Sequence, residues 1–175
     1  MLFRSIQIVD EQNRPMFDSG SAAVKPYMRD LLRQIAEVLT EVPNRLTMEG
    51  HTDAAPFAGN RSGLGYGNWE LSSDRANASR RELVAGGLPD ARMLRVQGLA
   101  ASSLFDRDDP LSPANRRISI IVMNRDAEDR VLRSFAEVTD PDVQRPPSVT
   151  SELKDISKNL PVAVAPPSTP ATLAR

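Results

Sequence analysis

The sequence contains no cysteine and only one histidine, His51. Without cysteine the chain can form no disulfide framework, and it offers no thiolate to act as a nucleophile or a metal ligand. A lone histidine cannot supply a Cys/His set for zinc, so neither a metal nor a cofactor is expected. The absence of cysteine leaves the redox compartment open.

Long apolar runs and an excess of charge are also missing. The sequence has no stretch of about 18 apolar residues that would span a membrane, and its first residues are unlike a secretory signal. The formal charge is −1 at pH 7, from 22 basic and 23 acidic residues. Nucleic acids and anionic membrane surfaces call for a basic excess, so neither is expected as the main partner.

Four short segments carry the apolar pattern typical of β-strands: residues 5–9, 45–50, 93–99 and 117–124. In the second of them, Leu46 and Met48 alternate with polar neighbours, so this strand is expected to be half-buried. The last segment is rich in isoleucine and valine, as strands often are.

Two helices are predicted between these strands. Apolar residues at i, i+3, i+4, i+7 and i+11 from Met28 indicate an amphipathic helix that begins near Pro26. A second helix is expected to start near the N-cap candidate Ser72 and to end at Gly86-Gly87, since glycine suits a left-handed cap. The order β-α-β-α-β-β predicts an α/β (α+β) two-layer sandwich, with a mixed four-stranded sheet and both helices on one face.

The end of the chain differs in composition from the rest. Residues 140–175 hold seven of the 14 prolines and show no apolar periodicity. Such a segment cannot bury enough apolar surface to offset the entropy of ordering it, so a disordered tail is predicted. Residues 1–139 are expected to form one domain with a core of about residues 6–124, followed by a short helix over residues 127–135.

The densest polar motifs lie at the end of the second strand and the start of the second helix, joined by a glycine-rich loop. A strand end that faces a helix start commonly forms a binding pocket in an α/β layer. Asp53 on one side and Arg75 on the other would suit a zwitterion with an ammonium and a carboxylate on one carbon. From the residues alone, Asp53 would more often form an Asx-turn with its own backbone, and Arg75 an exposed pair along its helix.

Three motifs, in this order, resemble the signatures of the OmpA-like peptidoglycan-binding domain. They are Gly50-His51-Thr52-Asp53, then Asn68-x-x-Leu71-Ser72-x-x-Arg75-Ala76, then Asn115-Arg116-Arg117-Ile118. The resemblance covers about residues 6–124. It departs from the broad family after Asp53, where Ala55 and Pro56 follow and the loop is longer.

Finer features resemble the periplasmic part of the MotB family of flagellar motor proteins. They are the long loop, Gln12-Asn13-Arg14-Pro15-Met16-Phe17, Gly20-Ser21-Ala22, Pro43-Asn44-Arg45 and Asn68-Trp69-Glu70-Leu71-Ser72. The resemblance implies a non-catalytic, dimeric domain that binds peptidoglycan and anchors the flagellar stator to the cell wall. It also implies the periplasmic domain of an inner-membrane protein, with a MotA-like partner reached through a membrane helix that this sequence lacks. The chain is therefore expected to be a fragment.

The resemblance also assigns roles to individual residues. It implies that Asp53 holds diaminopimelate of the peptidoglycan stem peptide and that Arg75 binds the ligand carboxylate. It further places Thr52, Asn68, Leu71 and Arg116 at the ligand. Asp53 and Arg75 are expected to face the pocket outside the core, and Arg75 to lie one helical turn in, near free backbone N–H groups.

Two alternatives stay open. A generic OmpA-like or Pal-like envelope tether would bind the same ligand without a motor role. A cell-wall hydrolase would use His51 and Asp53, but these two residues supply neither the nucleophile nor the metal that hydrolysis needs. The sequence favours His51 as a hydrogen-bonding residue that fixes the loop.

Overall fold

The computed structural model describes residues 4–10, 14–57 and 65–139. Its strands are β1 (Arg4–Val9), β2 (Leu46–Gly50), β3 (Met93–Gly98) and β4 (Arg117–Val122), and its helices are α1 (Pro26–Thr40), α2 (Asn68–Ala85) and α3 (Arg125–Thr139). Two single 3-10 turns, Asp90–Arg92 and Pro113–Asn115, precede β3 and β4. This order confirms the predicted β-α-β-α-β-β succession.

The four strands form one mixed sheet in the order β1-β4-β2-β3. The β1–β4 and β4–β2 pairs are antiparallel, whereas β2 and β3 run parallel. Strand β2 is interior and almost wholly buried, so the expectation of a half-buried strand is wrong. Thr47, on the face opposite Leu46 and Met48, is only 1% exposed because Met123 covers it, with Thr47 Oγ1 3.7 Å from Met123 Sδ.

Helix α1 begins at Pro26, as predicted, because the missing N–H of proline costs nothing in the first helical turn. Its buried face consists of Met28, Leu32, Ala36 and Leu39. Leu31, expected in that face, is 38% exposed. The apolar face is therefore narrower than the periodicity indicated, and it packs with the sheet residues Leu46, Met48, Ile118 and Ile120 into one core.

Helix α2 begins at Asn68, one turn earlier than the predicted start at Ser72. Gly67 is the N-cap residue, and its N–H donates to Glu70 Oε2 at 2.8 Å, which satisfies a backbone donor at the helix start. Ser72 is fully buried inside the helix, where its Oγ donates to the Trp69 carbonyl oxygen and accepts the N–H of Ala100. The predicted end is confirmed, with Gly86 as the C-cap residue.

Two glycines let α2 lie directly against the sheet. A Cβ atom on Gly50 would be 2.0 Å from the carbonyl oxygen of Ser72, and one on Gly98 would be 2.2 Å from Ser73 Oγ. No side chain fits at such distances, so β2 and β3 approach the helix backbone only because both positions lack one. The close approach fixes the first turns of α2 beside the end of β2.

Helix α3 is longer than the predicted segment 127–135. Ala127 is buried at its start, and its N–H donates to Asn124 Oδ1 at 2.8 Å. Two of the apolar residues that indicated this helix, Leu132 and Phe135, are 41% and 47% exposed. The chain divides into two units, one ending at Val131 and one beginning at Leu132, and only the last turns of α3 are described in the second. The predicted tail, residues 140–175, lies outside the described residues.

Candidate functional site

A cleft of about 660 Å³ opens at one end of the sheet. The end of β2, the start of α2 and the residue before β4 meet there. All six residues that the sequence assigned to the site line it: Thr52, Asp53, Asn68, Leu71, Arg75 and Arg116. The structure thus brings together side chains that are up to 64 positions apart in the sequence (116 − 52).

The segment after β2 is held by three backbone hydrogen bonds. The N–H of His51 donates to the Arg117 carbonyl, that of Thr52 to the Ala100 carbonyl, and that of Ala54 to the Pro110 carbonyl, each at 3.0 Å. These bonds tie the segment to β4 and to the loop between β3 and β4. Asp53 is therefore presented to the cleft on a fixed backbone.

Asn115 keeps the loop between β3 and β4 in shape. It is fully buried, and its Oδ1 accepts the N–H groups of Phe105 and Asp106, both at 2.8 Å. Its Nδ2 donates to the carbonyl oxygens of Asp106 and Asp109 at 3.1 and 3.0 Å. The amide thus uses both donors and both acceptor lone pairs within one loop, and the loop in turn supports Asp53 through Pro110.

Asp53 has a partner on each carboxylate oxygen. Oδ1 accepts the N–H of Ala55 at 3.2 Å, which is the Asx-turn that the sequence offered as the alternative use of this residue. Oδ2 accepts a hydrogen bond from Arg116 Nη1 at 2.8 Å. The side chain is 13% exposed. Since a carboxylate has about four acceptor positions, the Asx-turn and the arginine leave room for a further donor.

Arg116 bridges two carboxylates. In addition to Asp53, its Nε donates to Asp10 Oδ2 at 2.8 Å. Burial lowers the pKa of Arg116, but the hydrogen bonds to Asp53 and Asp10 outweigh it and raise the pKa above the ordinary value. Asp10 also accepts the N–H of Met16 on Oδ1 at 2.7 Å. Asp10 is not predicted from the sequence motifs, and its position directly after a predicted strand is the signal that could have indicated it.

Arg75 is buried, 8% exposed, and its expected position outside the core is wrong. Its Nε donates to the Ser21 carbonyl at 3.0 Å, and its Nη2 lies 3.4 Å from the Asp18 carbonyl. The guanidinium carbon lies 4.9 Å from the centre of the Phe17 ring. Burial is the main cause that lowers the pKa of Arg75. The side chain thus fastens the turn between Asp18 and Ser21 beside the cleft.

The earlier helix start also changes the surroundings assigned to Arg75. Because α2 begins at Asn68, Arg75 lies about two turns into the helix instead of one. Free backbone N–H groups occur only in the first turn of a helix, so they do not support an anion at Arg75 as expected. The Arg75 guanidinium has five N–H donors and uses two of them in the hydrogen bonds described above. The other three remain available to a ligand carboxylate.

The other predicted residues shape the cleft walls. Asn68 Nδ2 donates to the Ala55 carbonyl at 2.8 Å and so closes the loop end onto the helix start. Leu71 is 4% exposed, consistent with a packing role. Thr52 is 2% exposed, and its Oγ1 has no hydrogen-bond partner among the described residues. A buried hydroxyl without a partner among the described residues needs one from elsewhere, such as an ordered water.

The glycine-rich loop is described only at its two ends, since residues 58–64 lie outside the described residues. The rings of Phe57 and Tyr66 pack with centres 5.4 Å apart, and Tyr66 Oη donates to Asp74 Oδ2 at 2.8 Å. Burial, together with the Asp74 carboxylate, raises the pKa of Tyr66 to about 12. The two ends of the loop are therefore joined to each other and to α2.

His51 contacts residues on the sheet and is not among the residues that line the cleft. It is 3% exposed, and its Nε2 lies 3.5 Å from Ser119 Oγ and 3.8 Å from Glu49 Oε2. Gln97 Nε2 donates to the other oxygen of Glu49 at 2.6 Å. His51 lines a small cavity beside the cleft together with Asp10, Arg75 and Arg116, whereas Asp53 lines the cleft itself.

The Glu49–His51 pair predicts a pH effect on stability. Interaction with His51 is the main cause that lowers the pKa of Glu49 from its ordinary 4.5, against the opposing effect of burial. A lowered carboxyl pKa stabilises the fold above pH 4.5, and this contribution is lost as the pH falls through the folded value. Urea denaturation between about pH 3 and pH 7 should show a shallower acid decline in Glu49→Gln than in the wild type.

The exposed Glu37 on α1 provides the matched control, because Glu37→Gln makes the same change away from His51. Its stability should follow the wild-type curve in shape. Parallel acid declines in the wild type and in Glu49→Gln would contradict the role assigned to the pair.

The sequence of the chain matches a known protein family. The OmpA family matches residues 16–117 of the chain, more than half of its length, and the chain belongs to that family. It is 55% identical over 132 residues to Motility protein B of Escherichia coli K12, a match that covers 75% of this chain. The chain spans 42% of the length of that relative.

Other similarities agree with this assignment. The chain is 38% identical over 139 residues to a putative truncated flagellar export/assembly protein, LafU, of E. coli K12, and it covers 64% of that relative. The periplasmic domain of Helicobacter pylori MotB has the same fold, with a TM-score of 0.58 at 15% identity over 80% of this chain and all of that structure. The cell wall anchor of the type VI secretion system of Pseudomonas aeruginosa has a TM-score of 0.56 at 27% identity, covering 69% of this chain and 81% of that structure.

Among the described residues, no helix combines the length and the apolar character needed to cross a membrane.

Proposed function

We propose that this chain is a non-catalytic peptidoglycan-binding domain that anchors a flagellar stator to the cell wall from the periplasm. The proposal rests on the cleft, whose lining includes both a carboxylate, Asp53, and a guanidinium, Arg75. The 55% identity to Motility protein B supports the motor role over a generic envelope tether. A homodimer, and a MotA-like partner of the whole stator protein, belong to the same proposal.

The proposed ligand is the diaminopimelate residue of the stem peptide. Its distal carbon carries an ammonium and a carboxylate together, and these two groups complement Asp53 and Arg75. Thr52 Oγ1, buried and without a partner among the described residues, offers a further polar contact. Asn68 and Leu71 line the walls of the cleft, and Arg116 contacts the ligand beside Asp53. A lysine in place of diaminopimelate lacks the distal carboxylate, so it would leave Arg75 without its ligand partner.

The test is calorimetric titration with a diaminopimelate-containing stem peptide and with its lysine counterpart. We expect Asp53→Asn to weaken binding of the diaminopimelate peptide by about tenfold or more, because it removes the charge that faces the ligand ammonium. The fold should persist, since Asp53 lies in a loop at the edge of the cleft. We also expect the lysine peptide to bind the wild type more weakly than the diaminopimelate peptide does.

Asp30→Asn is the matched control, because Asp30 is exposed on α1 and does not line the cleft. It should bind like the wild type. Wild-type affinity in a folded Asp53→Asn variant would place the ligand elsewhere. Release of soluble fragments from purified cell walls by the wild-type protein would show that the domain is an enzyme.

A further inference from the structure

Three charged side chains that line the cleft are linked by hydrogen bonds: Asp10, Arg116 and Asp53. Arg116 donates from Nε to Asp10 and from Nη1 to Asp53, both at 2.8 Å. Asp10 and Asp53 are 9% and 13% exposed, so water screens them only weakly. One guanidinium therefore serves two partly buried carboxylates, and these three groups have a net charge of −1. The Arg75 guanidinium, which also interacts with both carboxylates, is the cation proposed for the ligand carboxylate.

This net charge matters for a cationic ligand. If Arg116 faced Asp53 alone, the pair would be neutral, and an arriving ammonium would have to compete with the guanidinium for the same carboxylate. Asp10 supplies the second negative charge and occupies the other side of the guanidinium. Because opposite charges attract strongly where water is excluded, the surplus negative charge favours an ammonium at Asp53.

We propose that Asp10 is a positioning residue for the ligand ammonium, acting through Arg116 to leave the Asp53 carboxylate available to it. This inference rests on the proposed function and extends it to a residue that does not belong to the family motifs described above. The role assigned to Asp10 is indirect: its Oδ2 accepts from Arg116 and its Oδ1 accepts the N–H of Met16, and these two contacts hold it beside the guanidinium.

The substitution Asp10→Asn removes the negative charge of the side chain and keeps its size and shape. The amide oxygen can still accept the Met16 N–H, while its NH₂ group would face the N–H of Arg116 and cannot accept from it. Arg116 should then direct its hydrogen bonds to Asp53 alone. We expect the diaminopimelate peptide to bind Asp10→Asn about tenfold more weakly than the wild type, comparable to losing the charge of Asp53 itself.

The decisive variant is the double substitution Asp10→Asn with Arg116→Met. Removing the guanidinium frees Asp53 and restores a net charge of −1 at this position. We expect the double variant to bind about threefold or more tightly than Asp10→Asn, while staying weaker than the wild type because the contact of Arg116 with the ligand is lost. A purely structural role of the Asp10–Arg116 contact would instead make the double variant bind no better than Asp10→Asn, and that result would overturn the inference.

Asp10→Glu keeps the inference testable if Asp10→Asn does not fold. This variant keeps the charge and disturbs the geometry, so it should bind within about threefold of the wild type. Loss of binding in a folded Asp10→Glu variant, as large as in Asp53→Asn, would refute the charge argument. If Asp53→Asn itself leaves binding unchanged, the proposed function fails. If only Asp10→Asn leaves it unchanged, the inference about Asp10 fails alone.

Discussion

Replacing Gly50 by alanine should cost about 3 kcal/mol of folding free energy or more, the largest loss expected from a methyl group added at any of the described glycines. The added Cβ would lie 2.0 Å from the carbonyl oxygen of Ser72, a backbone atom that no side-chain rotation can move. Helix α2 would have to lift away from β2. Since the first turns of α2 also form one wall of the cleft, peptide binding should fall together with stability.

Urea denaturation followed by circular dichroism measures the loss of stability. Val38→Ala is a suitable control, because Val38 is 65% exposed on α1 and its truncation should change stability by less than about 0.5 kcal/mol. A Gly50→Ala variant as stable as the wild type would mean that helix and sheet are not in the close contact described above.

Arg75→Met should weaken both stability and ligand binding. The substitution keeps an apolar stem of similar length but leaves the Ser21 carbonyl without its Arg75 donor, while the Asp18 carbonyl keeps only the N–H of Ser21. Hydrogen bonds from a charged group contribute about 1.5–3 kcal/mol, and these acceptors are only partly buried, so we expect a loss of about 2 kcal/mol. Binding of the diaminopimelate peptide should fall by about tenfold or more, because the ligand carboxylate loses its cation.

Arg81→Met on the exposed face of α2 is the matched control, and it should leave both quantities close to those of the wild type. The measurements are denaturation and titration on the same preparations. Unchanged stability of Arg75→Met would show that Arg75 does not hold the turn from Asp18 to Ser21. Unchanged binding with a folded protein would remove Arg75 from the ligand site.

The comparison of Asp53 with Arg75 shows how far the sequence could predict the site. Both residues were placed at the cleft from motifs and resemblance, and both line it. Their local motifs gave no information about burial, because burial depends on the segment around Asp18 that packs over the helix from another part of the chain. Arg75 is therefore a structural residue as well as a candidate ligand contact, whereas Asp53 lies in a loop.

The fold was largely predictable, since strand and helix periodicities are local properties of the sequence. The start of α2 was not, because Ser72 has the properties of a good N-cap while Gly67 depends on Glu70 to satisfy its N–H. Asp10 was missed for a related reason. Nothing near it in the sequence indicates Arg116, which lies more than a hundred residues away and meets it only through the pairing of β1 with β4.

That pairing has a mechanical consequence. Strand β1 lies at the edge of the sheet and pairs only with β4 among the described strands, from Arg4 opposite Val122 to Val9 opposite Arg117. The cleft lies at the Val9 end, where the N–H of Asp10 donates to the Arg116 carbonyl. A tension applied at Arg4 and resisted by a ligand in the cleft would run along the strand axis. Antiparallel hydrogen bonds lie perpendicular to that axis, so the ladder would be loaded in shear, with all its bonds sharing the force instead of opening one after another.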